Sequence, residues 1–103
     1  MELKKLEKYI NKACDVDHAP CSITLLIDEG LDAFNDVVKV FSAHGFQIDQ
    51  FVDEYMCVLS RDTEGINEAV KIKSTTLEVQ ALRETMQEIA EELAPYCREL
   101  DND

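Results

Sequence analysis

The sequence predicts an α+β fold, a small antiparallel sheet with two long helices packed on one face, preceded by an extra N-terminal helix. Apolar residues recur at intervals of three and four in three segments, which is the helical period, and short β-branched runs lie between them. The 103 residues are a length typical of one domain with one hydrophobic core. We therefore predict a single domain over 1–103, with an N-terminal helix over 2–14, an α+β core over 22–94 and an acidic tail over 98–103.

The first half of the chain predicts two helices and two strands. Residues 2–14 carry an apolar stripe between lysines and glutamates, which predicts an amphipathic helix. Residues 22–28 form a nearly continuous apolar run, which predicts a central strand buried on both faces. A helix is expected over 31–43, where Gly45 ends it in a left-handed conformation. The alternation over 46–52 predicts a strand.

The second half predicts two more strands and the longest helix. Residues 55–60 are a second apolar strand, and residues 61–65 are a polar connection. Residues 68–75 alternate, which predicts a half-exposed strand at a sheet edge, where lysine discourages stray pairing. Thr75-Thr-Leu-Glu78 has the capping-box pattern that opens a helix. That helix should end just before Pro95, which lacks the backbone donor.

The charge balance is the most unusual property of the sequence. Acidic residues outnumber basic residues by 22 to 10, for a formal net charge of −12. The excess lies beyond the first helix, because residues 1–13 hold four lysines and two glutamates. Such a surface repels nucleic acid and anionic membranes, and it attracts a basic protein surface. A solvated surface that only keeps the protein soluble is the alternative explanation.

The sequence also predicts a cytoplasmic protein. No apolar leader precedes the first amphipathic pattern, and no apolar run approaches the ~18 residues of a membrane span. Cysteines of cytoplasmic proteins are usually thiols rather than disulfides. We expect thiols at Cys14, Cys21, Cys57 and Cys97.

One cysteine cluster has the donors of a zinc site. Cys14, His18 and Cys21 combine two soft thiolates with an imidazole, which suits zinc. The residues that could supply a fourth ligand are Cys57, Cys97 and His44. Only half of the usual ligand spacing is present, so two small buried thiols beside a loop histidine are the simpler interpretation. We predict no metal and no cofactor.

No pattern in the sequence indicates catalysis. The chain holds three glycines and two histidines, and it has no nucleophile-elbow or glycine-rich phosphate motif. We therefore predict a non-enzymatic protein with no catalytic residues.

Two acidic patches are the predicted partner-binding residues. Four glutamates fall on one side of the last predicted helix: Glu84, Glu88, Glu91 and Glu92. The second patch lies on the predicted strand hairpin: Asp49, Asp53 and Glu54. Like charges four residues apart slightly destabilise a helix, so a binding role would account for them, although a solvated face is the alternative. The apolar stripe of the first helix must bury against the domain or a second chain, which leaves a homodimer as one interpretation.

Two stretches of the sequence carry a resemblance to a known family: Phe34-Asn-Asp-Val-Val-Lys-Val-Phe-Ser-Ala-His-Gly-Phe46 and the acidic helix Leu82-Arg-Glu-Thr-Met-Gln-Glu-Ile-Ala-Glu-Glu-Leu93 before Tyr96. In these stretches the sequence resembles the RraB family, protein inhibitors of the endoribonuclease RNase E. The resemblance implies a ferredoxin-like βαββαβ sandwich over about residues 22–100 and a function in binding a protein. It agrees with the charge argument.

A second resemblance lies in the stretch Glu29-Gly-Leu-Asp-Ala-Phe34 through His44-Gly-Phe-Gln-Ile-Asp-Gln50. This stretch is similar to the first loop, helix and second strand of the ACT domain, a small-molecule-sensing module. This resemblance implies ligand binding near the Gly30 loop, with Asp28 and Leu31 beside it.

From these observations we expect a small acidic regulatory protein that inhibits or modulates a basic, nucleic-acid-handling protein. It would be either a host regulator or a phage-type inhibitor. The alternatives are an ACT-like sensing module and a small thiol or zinc protein.

Overall fold

A computed structural model describes residues 1–53 and 56–98 of the protein. Its helices and strands are, in chain order, α1 (Leu3–Ala13), β1 (Cys21–Ile27), α2 (Leu31–Ala43), β2 (Gln47–Asp53), β3 (Met56–Thr63), β4 (Ile66–Lys73), β5 (Thr76–Ala81), α3 (Arg83–Leu93), a 3-10 turn (Ala94–Tyr96) and β6 (Cys97–Arg98). The predicted boundaries of α1, α2, β1 and β2 are within one residue of these. In the described part of the chain, no helix is both long and apolar enough to cross a membrane.

The strands form one sheet in the order β2-β3-β4-β5-β1-β6, and the pairs of neighbouring strands are antiparallel. Helix α3 packs between α1 and α2, while α1 contacts β1 and α2 contacts β3 and β4. The three helices therefore form a layer over one face of the sheet. The predicted α+β class is confirmed, but the helix layer contains three helices instead of two, because α1 joins it.

The core lies between the helix layer and the sheet. Its largest fully buried side chains include Phe34 and Phe41 of α2, and Leu25 of β1. Leu6 and Ile10 of α1 are 0% and 2% exposed within this one chain. These two residues of the α1 stripe are thus buried against their own domain, and a homodimer stays a prediction.

Two expectations about the strands are wrong. β1 is buried on one face only, because its side chains alternate between buried Ile23, Leu25 and Ile27 and the open face of the sheet. β4 lies inside the sheet between β3 and β5, not at an edge. The lysines of β4 at 71 and 73 reach solvent from the open face, so their exposure did not indicate an edge.

The predicted start of the last helix at the capping box is also wrong. Residues Thr76–Ala81 form β5, and α3 begins at Arg83. Leu77, Val79 and Ala81 are each 2% exposed or less, which is the period of a strand and not of a helix. β5 is hydrogen-bonded to β1 on one side and to β4 on the other. These backbone hydrogen bonds favour the strand over the helix that the capping box alone would favour.

The polar connection predicted over 61–65 belongs instead to a tight hairpin. β3 continues to Thr63, which pairs with Ile66 of β4. The two intervening residues, Glu64 and Gly65, have φ of 51° and 84°. Two positive φ angles are required by the type I′ turn that matches the twist of paired strands.

The C-terminal end of the described chain agrees with the proline argument. α3 ends at Leu93, and Pro95 lies in the 3-10 turn that follows. β6 is a strand of two residues that pairs with β1. Of the predicted acidic tail over 98–103, residues 99–103 lie outside the described residues.

Candidate functional site

Helix α3 presents its glutamates to solvent because its apolar residues face the sheet. Its buried residues are Thr85, Met86, Ile89, Ala90 and Leu93. Its exposed acidic residues are Glu84, Glu88, Glu91 and Glu92, and we call these four the acidic face. At a rise of 1.5 Å per residue, the acidic face extends about 12 Å along the helix. The sequence correctly grouped these four side chains, and their role in binding stays a prediction.

His44, at the end of α2, lies next to two of the four carboxylates. Its Nε2 lies 3.1 Å from each carboxylate oxygen of Glu92. Its Nδ1 lies 3.5 Å from Oε1 of Glu88. The ring at the end of α2 is therefore within hydrogen-bond distance of Glu92 and also lies beside Glu88. Glu84 and Glu91 have no ion pair among the described residues.

Arg61 of β3 connects the acidic face to the interior. Its Nη2 lies 3.4 Å from Oε2 of Glu88 and donates to Oγ1 of Thr85 at 3.0 Å. Its guanidinium lies 4.8 Å from the centre of the Phe46 ring, a cation–π distance. Its Nη1 donates to the backbone carbonyl of His44 at 2.5 Å. Arg61 is thereby fixed beneath α3, because each of its three guanidinium nitrogens donates a hydrogen bond within the protein.

The main partner of Arg61 is Glu68 of β4, which is completely buried at 0% exposure. Nε of Arg61 donates to Oε1 of Glu68 at 2.8 Å. The hydroxyl of Thr63 donates to the same oxygen at 2.6 Å, and the Leu82 backbone N–H donates to Oε2 at 2.9 Å. Leu82 is the residue that precedes α3, so Glu68 satisfies a backbone donor at the start of the helix that carries the acidic face.

The hydrogen bonds around Glu68 keep its carboxyl group ionised. Burial alone would raise the pKa of this group. The hydrogen bonds outweigh burial and lower the pKa below its usual value of 4.5; their donors are Thr63, Thr85, Arg61 and the backbone N–H of Leu82.

This lowered pKa predicts a loss of stability in acid. The folded state binds the Glu68 proton more weakly than the unfolded chain, so the contribution is complete above about pH 4.5 and is lost as pH falls through the folded pKa. For this one group the slope of the free energy of unfolding is at most about 1.4 kcal/mol per pH unit. Urea titrations at a series of pH values should show a shallower acid slope for Glu68→Gln than for the wild type. Equal slopes would show that Glu68 does not contribute to acid unfolding.

A polar cleft of about 600 Å³ opens beside this network. Its lining residues are Gly45, Gln47, Ser60, Arg61, Asp62, Thr63, Asn67 and Glu88. Arg61 is the cationic residue among them, and it is already bound to Glu68 and Glu88. The cleft therefore offers hydrogen-bonding and acidic groups rather than a free positive charge for an anion.

The second predicted patch is only partly described. Asp49 is exposed on β2 and accepts a hydrogen bond from the Ser60 hydroxyl at 2.5 Å. Ser60 also lines the polar cleft, so this hydrogen bond joins Asp49 to one of the lining residues. Asp53 is the last residue of β2, but its side chain and the whole of Glu54 lie outside the described residues.

Arg61 and Glu68 were not predicted from the sequence. Glu68 occupies the same side of its strand as Val70 and Ile72, which are 1% and 0% exposed. That alternation was visible in the sequence, and a carboxylate at a buried position requires a cationic partner. The pairing of Glu68 with Arg61 could not be predicted, because the sequence places Arg61 in a polar connection and the structure places it on the neighbouring strand, β3.

The expectation of four thiols is wrong for two cysteines, since the structure joins Cys14 and Cys21 in a disulfide with Cα atoms 5.5 Å apart. Cys14 follows α1 and Cys21 begins β1, and the loop between them turns at His18, whose φ is 63°. This turn in the loop brings the Cα atoms of Cys14 and Cys21 within the usual distance range for a disulfide. Arg83 of α3 secures the same loop, because it donates to the Cys14 carbonyl at 3.1 Å and forms an ion pair with Asp17.

The disulfide also removes two of the three donors in the Cys14, His18 and Cys21 cluster, which was considered as a zinc site. Cys57 and Cys97 remain free and buried. Burial raises the pKa of both thiols, that of Cys97 to about 11, so both are protonated at neutral pH. Among the described residues, no three His, Cys, Asp or Glu side chains are grouped to hold a metal ion.

The positions implied by the ACT resemblance lie at the start of α2. Gly30 precedes the helix with φ of 112°. Leu31 is 48% exposed, and Asp28 lies 3.9 Å from Arg98 of β6 in a half-exposed ion pair. They stand apart from the residues that line the polar cleft.

No protein-family model, curated protein or solved structure significantly matches this chain. The resemblances to RraB proteins and to ACT domains therefore stay predictions.

Proposed function

We propose that this chain is a small acidic regulatory protein whose acidic face on α3 binds a basic surface of a nucleic-acid-handling protein. By doing so it inhibits or modulates that protein. The observation that supports the proposal most directly is the exposure of Glu84, Glu88, Glu91 and Glu92 on one helix. The net charge of −12 would steer the chain toward such a partner.

Inhibition follows from competition for the same cationic side chains. Nucleic acid binds mainly through phosphates that Lys and Arg neutralise. Four carboxylates over about 12 Å can occupy several of those side chains at once. A partner surface that holds the acidic face is then unavailable to phosphates.

The contacts behind the acidic face favour binding by limiting its freedom before the partner arrives. His44 and Arg61 hold Glu88 from two sides, and His44 also holds Glu92. Glu68 anchors the start of the helix through the Leu82 backbone. Groups that are already positioned lose less conformational entropy on binding.

We also propose that the fold is an elaborated ferredoxin-like sandwich. If β3 and β4 are set aside, the elements from β1 onward run β1-α2-β2-β5-α3-β6, the βαββαβ order of that motif. The β3–β4 hairpin would be an insertion between β2 and β5, and it contributes Arg61 and Glu68. This reading supports the RraB resemblance at the level of fold, which does not establish function.

A capture experiment with a three-residue variant tests the proposed function. The wild-type protein, used as bait in a native lysate, should release a basic nucleic-acid-binding protein between about 0.1 and 0.5 M salt, where screening becomes severe. The variant E84Q/E88Q/E91Q should retain less than about a tenth of the captured protein, because it loses three charges of the acidic face. Its free energy of unfolding should change by no more than about 1 kcal/mol, since these side chains are exposed.

The matched control removes the same number of charges elsewhere. Glu2, Glu7 and Glu29 are exposed and lie outside α3, so E2Q/E7Q/E29Q should still capture the partner. The captured protein should lose nucleic-acid binding when wild-type protein is added, and not when the α3 variant is added. Equal capture by both triple variants would show that the acidic face is not the binding surface.

A further inference from the structure

Strand β2 lies at one edge of the sheet and pairs with β3 alone among the described strands. Its other side therefore presents backbone N–H and C=O groups that no described strand satisfies. The opposite edge is formed by β6, which has only two residues, Cys97–Arg98. With seven residues, β2 is the edge long enough to accept another strand.

The same strand carries an unusual share of exposed apolar surface. Ile48, Phe51 and Val52 are 50%, 53% and 50% exposed. Half of the six large exposed hydrophobic residues in the described part of the chain therefore lie on one strand. A cluster of this kind indicates an interaction surface more strongly than scattered apolar residues do.

Phe51 is held in place while it remains exposed. Its ring contacts the ring of Phe34 edge-to-face, with centroids 6.3 Å apart. Phe34 belongs to the core and is 1% exposed. The exposed ring is therefore fixed against a rigid support, which reduces the entropy lost when a partner covers it.

The β2 edge is only partly protected against pairing with another strand. Two register shifts, at Asp49 and at Val52, place bulges in β2 that discourage long uninterrupted pairing. However, residues 46–54 include no lysine, arginine or proline, the residues that most often block an edge. A short extended segment can pair between or across the bulges.

Charge decides which kind of segment fits. The charged residues of β2 are Asp49 and Asp53, both acidic. Pairing β2 with β2 of a second copy would place acidic positions on neighbouring strands, and like charges across neighbouring strands are destabilising. A segment that alternates apolar residues with lysine or arginine would match both the apolar side chains and the acids.

We propose that the β2 edge binds an extended, basic and apolar segment of a partner protein by strand addition. The backbone of the segment pairs with β2, and its apolar side chains cover Ile48, Phe51 and Val52. This inference rests on the proposed function for the positive charge of the partner. It adds a second contact between the two proteins, separate from the acidic face. It also specifies that the bound segment of the partner is an extended strand.

A synthetic peptide of about nine residues that alternates valine and lysine is the probe. Amide exchange and chemical shifts of the wild-type protein should show at least about tenfold slower exchange in β2 when the peptide is bound, and binding should weaken with salt. A peptide with every second backbone N–H methylated should bind at least about tenfold more weakly, because it cannot form the strand ladder. Replacement of its lysines by glutamates should abolish binding.

Two protein variants locate the contact. Ile48→Lys places a positive charge on the exposed edge and should weaken peptide binding by at least about tenfold. Val16→Lys is the matched control, because Val16 is 58% exposed in the loop after α1, and it should bind like the wild type. Both positions are exposed, so both variants should unfold at nearly the wild-type urea concentration.

Several results would overturn the inference. These are undetectable binding of the valine–lysine peptide, equal binding of the methylated or glutamate peptide, shifts confined to α3, or protection of β2 that rises with protein concentration alone. The variant E84Q/E88Q/E91Q separates the two proposals, since it should keep peptide binding at β2. If that variant binds the peptide and also captures the lysate partner normally, the acidic face is ruled out while the β2 edge stands.

Discussion

Replacement of Arg61 by alanine should lower the free energy of unfolding by about 3–5 kcal/mol, because it leaves a buried carboxylate without its counterion. Glu68 is 0% exposed and would keep only its uncharged hydrogen-bond donors. The loss is a large fraction of the 5–15 kcal/mol typical of folded domains. Urea denaturation followed by circular dichroism at neutral pH would measure it.

Two further variants distinguish a buried ion pair from a general effect of truncation. The double variant R61M/E68Q removes both charges and keeps an acceptor for the Leu82 N–H, so it should recover at least half of the loss. Lys73→Ala removes one side of the Lys73–Glu78 pair, whose side chains are 47% and 45% exposed. That change should cost no more than about 1 kcal/mol. An Arg61→Ala cost as small as that of Lys73→Ala would contradict the account of Glu68.

Replacement of Phe41 by alanine should also cost about 3–5 kcal/mol, through the cavity left in the core. Phe41 is 0% exposed, and its ring contacts that of Phe46 edge-to-face with centroids 5.3 Å apart. Phe46 in turn supports the Arg61 guanidinium. The cavity therefore lies directly beneath the network that anchors α3.

The matched control is the same substitution at an exposed phenylalanine. Phe51 is 53% exposed on β2, so Phe51→Ala should cost clearly less than Phe41→Ala. Comparison of the two urea midpoints checks the prediction. A Phe51→Ala cost equal to that of Phe41→Ala would mean that Phe51 is covered in solution, for example by a second chain.

The positions of the helices were predicted from local sequence patterns. Apolar residues spaced three and four apart predicted a helix over residues 31–43, and α2 has these bounds. Gly45, just beyond the end of α2, adopts the expected left-handed conformation with φ of 90°. The apolar stripe of α3 likewise placed Glu84, Glu88, Glu91 and Glu92 on the outside. These features depend on side chains close in sequence, and the period of the helix relates them directly.

β5 shows where the same reasoning fails. The Thr75–Glu78 capping box is a real local helix signal, and Leu77, Val79 and Ala81 carry a competing strand period. The choice between them is made by β1 and β4, which satisfy the backbone of β5 from both sides. One of these strands comes about 50 residues earlier in the chain, so no local window contains the information.

The sequence by itself determined the α+β class, the positions of α1 and α2, the negative charge and the grouping of four glutamates on α3. Composition and short-range periodicity are sufficient for these. Only the tertiary structure decided the strand order, the Cys14–Cys21 disulfide, the buried Arg61–Glu68 pair and the exposed edge at β2. Each of these depends on which distant segments come into contact, and burial and hydrogen bonding across the whole core select those contacts.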